Sequence, residues 1–76
     1  MYHTIEFRAQ GFAELETPGT PGAVQAYIKA GIRIRAKIKP YVVESDKGPV
    51  EVADLYSEDG SVARAMQYAH FRFIDE

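Results

Sequence analysis

Cysteine and tryptophan are absent from this 76-residue chain, and methionine occurs only twice. Without thiols there can be no disulfide and no thiolate-held zinc or iron–sulfur centre. That composition fits a reducing, cytoplasmic setting. No run is apolar over the length a bilayer span requires, and Met1-Tyr2-His3-Thr4-Ile5-Glu6 has neither a basic start nor a continuous apolar stretch. Neither a membrane segment nor a signal peptide is expected. Glycine patterns that cradle phosphates are missing as well, and the prolines of Thr17-Pro18-Gly19-Thr20-Pro21-Gly22 remove amides such a cradle would use. One absence is local: no acidic residue occurs between Glu16 and Glu44, although the formal net charge is −2.

Catalytic constellations are equally thin. The two histidines, His3 and His70, stand in the terminal segments. If those segments paired as strands, the imidazoles would approach each other and Glu6 or Glu51 would be placed to complete a metal site, but nothing in the spacing requires it. Ser45, Ser57 and Ser61 sit in or beside turns, where serine is favoured by local hydrogen bonding alone. Glu58-Asp59 lacks the ligand count of a calcium loop. The reading is of a chain that is not an enzyme, with no catalytic, cofactor-binding or metal-binding residues and no cofactor.

What is present is alternation. Ile32, Ile34, Ala36 and Ile38 fall on one side of a period of two, and Arg33, Arg35, Lys37 and Lys39 on the other. Successive side chains leave opposite faces of a β-strand, so this segment predicts a half-buried strand with an apolar face and a cationic one. A first strand is predicted over Tyr2 to Ala9, with His3, Ile5, Phe7 and Ala9 on one face; beyond a bend at Gly11 the chain continues extended through Leu15. Pro18-Gly19 and Pro21-Gly22 are turn chemistry. Ala23 to Ala30 reads either as a short helix, capped by Thr20 and ended by Gly31, or as a strand; its β-branched and aromatic residues favour the strand.

Ile32 to Glu44 predicts a long strand in which Pro40 demands an edge or bulge, because it donates no ladder hydrogen bond. Ser45-Asp46-Lys47-Gly48 closes a hairpin, Val50 to Tyr56 returns, and Glu58-Asp59-Gly60 turns again with Gly60 left-handed. Val62 to Ile74 forms a last strand or pair of strands. Short strands joined by tight turns describe one domain, residues 1–76: an all-β, antiparallel five- or six-stranded barrel or roll of SH3-like or OB-like type. It holds at most one short helix near 21–30; the alternative is α+β. Ile5, Phe7, Ile34, Ile38, Leu55, Phe71 and Phe73 are the expected core.

The basic strand is the candidate binding surface: Arg33, Arg35, Lys37 and Lys39, with Tyr41 and Tyr56 placed to stack bases. Alternate strand residues advance about 6.6 Å, close to the spacing of alternate nucleic-acid phosphates. A competing reading pairs the hairpin so that Glu44 faces Pro49. Lys39 is then opposite Asp54, Lys37 opposite Tyr56 and Arg35 opposite Glu58, with Asp54 also facing Arg64 and Arg33 left without an evident partner. The stripe then becomes a mixed-charge solvated face. Five tyrosines and four phenylalanines are many for so small a surface, and tyrosine is enriched at interfaces. The sequence therefore points first to a non-enzymatic cytoplasmic module that contacts another protein or its own copy. Single-stranded nucleic-acid binding through residues 33–39 is the alternative, and no membrane partner is expected.

Overall fold

A computed structural model describes residues 1–8, 11–19 and 21–74. Seven antiparallel strands form one sheet: β1 (His3–Phe7), β2 (Gly11–Glu16), β3 (Val24–Ile28), β4 (Arg33–Ser45), β5 (Gly48–Ser57), β6 (Val62–Gln67) and β7 (Phe71–Phe73). Their order across the sheet is β3-β2-β6-β5-β4-β1-β7, and the sheet curls into a half-barrel. The all-β reading holds. The strand count rises to seven because Gly11–Glu16 and Val24–Ile28 are separate strands paired to each other, and because the C-terminal segment divides in two. A single 3₁₀ turn, Tyr68–His70, makes that division; the segment near 21–30 is strand, as its β-branched and aromatic residues favoured. Ala9, included in the expected first strand, and Thr20, the expected helix cap, lie outside the described residues.

The hairpin register follows from its turn. Ser45 pairs with Gly48, Glu44 with Pro49, Lys39 with Asp54 and Lys37 with Tyr56, as the four-residue loop predicts. The Ser45 hydroxyl donates to the Gly48 carbonyl at 2.7 Å and accepts the Lys47 amide, fixing that turn locally. Pro40 sits opposite Ala53 in a stretch of β4 beyond the reach of β1, which pairs only with Arg33–Ala36. Its missing N–H is thereby tolerated at an open edge. Gly60 takes φ +92°, and a Cβ there would stand 2.8 Å from Pro18 Cγ, so the β5–β6 turn closes against the β2–β3 turn only because the position is glycine.

The core lies on the concave face. Ile5, Phe7, Ala36, Ala53, Leu55, Ala63, Met66 and Phe71 are buried, with Leu15, Ile28, Ile34, Ile38 and Phe73 packed against them. Every expected core residue is in this set or against it. The additions are the small residues Ala36, Ala53 and Ala63, and Met66. At the middle of β5 the burial does not alternate: Val52, Ala53, Asp54 and Leu55 are all buried. β5 is the central strand, and its outer face is covered too, by the polar cluster described next.

Candidate functional site

The outer face of β4 carries Arg33, Arg35, Lys37 and Lys39 in the predicted row, and the first three meet partners on β1, just before it, or just after β5. Arg33, expected to lack a partner, is a correction: β1 inserts beside β4, Glu6 pairs with Arg33 in register, and Arg33 Nε donates to Glu6 Oε2 at 3.0 Å. The same carboxylate takes Arg72 of β7, at 3.0 Å from Nε and 2.8 Å from Nη2. Hydrogen bonds from Arg33 and then Arg72 hold the Glu6 carboxyl below its ordinary range. Arg35 donates to the Thr4 hydroxyl at 2.9 Å and lies 3.9 Å from Glu58, the carboxylate the hairpin register predicts for it. Lys37 Nζ stands over the Tyr2 ring, 5.1 Å from its centroid.

Lys39 is opposite Asp54 as expected, but the Asp54 oxygens are committed elsewhere. Oδ1 accepts the Tyr41 hydroxyl at 2.8 Å and the Ala65 amide at 2.9 Å, and Oδ2 accepts Arg64 Nη1 at 2.7 Å. Asp54 is only 7% exposed. Burial by itself raises its carboxyl, and the Ala65 amide, Arg64 and Tyr41 together outweigh that and leave it lowered. Arg64 in turn forks onto Glu16, Nε to Oε2 at 2.6 Å and Nη2 to Oε1 at 3.1 Å, and reaches the Tyr56 hydroxyl at 3.3 Å. The guanidinium is raised above its usual value first by Glu16, then by Asp54 and Tyr56.

This cluster depends on a register shift between Ala53 and Leu55 in the β5–β6 ladder. Opposite it, Ala65 adopts φ +53°, a left-handed conformation unusual for a residue with a Cβ. The bend turns the Ala65 amide onto Asp54. Tyr41 and Tyr56, the expected base-stacking pair, both lend their hydroxyls to this cluster. Sequence reasoning paired Asp54 with Arg64 but missed Glu16; its signal was a carboxylate on the strand neighbouring Arg64, legible only once β2 is known to pair with β6.

The histidines are kept apart. The His70 carbonyl accepts the Arg8 amide at 2.8 Å, whereas His3 lies five residues earlier and packs edge-on against Phe73, ring centroids 5.2 Å apart. Five strand residues span about 16 Å, so the imidazoles do not converge. Among the described residues no group of three or more histidine, aspartate or glutamate side chains is arranged to hold a metal ion. No helix among the described residues is long and apolar enough to cross a membrane.

Apolar surface gathers at the other end of the sheet. Phe12 of β2 and Tyr27 of β3 pair in register, their rings edge to face at 5.4 Å, and are 71% and 50% exposed. Val24 and Ile32 are exposed to a similar degree. Beside Tyr27 and Ile32 opens a cleft of about 380 Å³ lined by the apolar Phe7, Leu15, Ile28, Ile34 and Ala63 and by the polar Lys29, Ser57, Asp59 and Ser61. It lies where the half-barrel fails to close. Comparison of the chain with protein-family models, curated proteins and solved structures gives no match.

Proposed function

We propose that this chain is a small, cytoplasmic, non-enzymatic binding module that acts through protein–protein contact, with self-association as its leading form. The observation that carries the reading is exposed apolar surface on β2 and β3 and at the cleft: Phe12 and Tyr27 side by side on one face, Val24 on the other, and Ile32 lining the cleft. A contiguous exposed apolar pair such as Phe12 and Tyr27 marks a contact site in a way that singly scattered residues do not.

The alternative, single-stranded nucleic-acid binding by Arg33, Arg35, Lys37 and Lys39, would have to draw Arg33 from Glu6 and Arg35 from Thr4, so the apolar end is favoured. Light scattering from micromolar to millimolar protein, at low and high salt, tests the proposal. A mass that rises with concentration and persists in salt is expected, together with no salt-sensitive retention of labelled oligonucleotides. A protein that stays monomeric and captures no partner, or that binds oligonucleotides steeply with falling salt, overturns it.

A further inference from the structure

The open edges of the sheet are not equally guarded. β7 is three residues long and carries Arg72 at its centre, and the part of β4 beyond β1 carries Lys37, Lys39 and Pro40. Short length, lysine and proline are the usual devices that keep an edge from pairing with another chain. β3 has none of them. Val24-Gln25-Ala26-Tyr27-Ile28 is uncharged, free of proline, and paired to β2 without a bulge, with its other side unpaired among the described residues.

We propose that β3 pairs antiparallel with β3 of a second copy about a two-fold axis centred on Ala26, joining two half-barrels into one continuous sheet. This rests on the self-association reading above and names its surface. The register is set by the pleat. Paired residues must share a face, so a two-fold axis passes through a residue and not between two, and centring it on Ala26 pairs all five. Val24 then lies opposite Ile28 of the second copy, and Gln25 opposite Tyr27. No charge meets a like charge, since the nearest charged residue, Lys29, falls beyond the paired five. Val24 and Ile28 alternate with Tyr27, and Ile28 is packed against the core, so the apolar pair continues the concave face across the axis.

Two double variants test this. Gln25→Lys/Tyr27→Lys and Gln25→Glu/Tyr27→Glu alter exposed positions that face each other across the proposed axis. Each should set like charges opposite one another and weaken dimerisation by about tenfold or more, read by analytical ultracentrifugation. Circular dichroism should show both folded. Mixing the two should restore a heterodimer, because opposite charges then face each other. A wild-type dimer untouched by either variant overturns the β3 pairing while leaving self-association standing. A wild-type protein that remains monomeric to millimolar concentration overturns both.

Discussion

Arg64 and Asp54 meet at 2.7 Å across the β5–β6 bulge, and that contact organises the outer face of the domain. Asp54 gathers a hydroxyl from β4 and an amide and a guanidinium from β6, so its removal leaves all three donors short of an acceptor. Asp54→Ala should cost about 3 kcal/mol, in the range for charged hydrogen bonds whose buried partner is lost. Urea unfolding checks it. A loss below about 1 kcal/mol would show the cluster to be ornamental.

Acid should destabilise the fold in a defined window. Asp54, Glu6 and Glu16 all sit below their ordinary carboxyl values, Asp54 against its own burial and the glutamates through arginine hydrogen bonds. A carboxyl lowered in the folded state contributes stability that is complete above its unfolded value, about 4, and is lost as pH falls through the lower folded value. The urea midpoint should therefore be level above about pH 5.5 and fall steadily below about pH 4. A midpoint that does not fall as the pH is taken well below about 4 contradicts the assignment. Arg64→Gln should flatten the part that Glu16 and Asp54 supply.

Ala65→Gly should stabilise the protein. The residue is exposed and left-handed, so glycine relieves the conformational cost without emptying the core. A gain of about 0.5–1 kcal/mol is expected, with an unchanged denaturant slope. Destabilisation by the same amount would mean that the methyl group packs or that unfolded-chain entropy dominates.

Leu55 and Arg33 mark the two faces of the sheet. Leu55→Ala, at a fully buried position, should cost about 2–5 kcal/mol, a large share of the roughly 4–11 kcal/mol a domain of this size has to lose. Arg33→Glu should leave the domain folded, weakened only by setting a second acid beside Glu6. Thermal melts that fall equally for both would show the facing of β4 to be wrong.

The readable parts of this sequence were the local ones. Ser45 to Gly48 is four residues of turn chemistry, and from it the whole β4–β5 register follows, including Lys39 opposite Asp54 and Arg35 near Glu58. Val24 to Ile28 was ambiguous because a helical stripe and a short strand share the same residues; its pairing with β2 decides it. Arg33 with Glu6 was invisible because β1 pairs with no strand adjacent to it in sequence. Tyr41 was placed on the correct face, but nothing in one chain says that its hydroxyl is taken by Asp54. Alternation failed at Val52 to Leu55 for a related reason: a strand covered on both faces has no wet side to reveal.

The position of β1 also sets an order of events. The β2–β3, β4–β5 and β5–β6 pairs are hairpins between successive strands, formed by closing short loops. β1 must instead be received between β4 and β7, with Glu6 joined to Arg33, 27 residues away, and to Arg72, 66 residues away. Closing loops of that length is the slow, entropy-limited step in sheet formation. Loop length therefore predicts that the hairpins form first and that the β2–β6 pair and the seam around β1 close later. Until that seam closes, Ile5 and Phe7 are missing from the core, and Ile34 and Ala36 of β4 lack the strand that covers them.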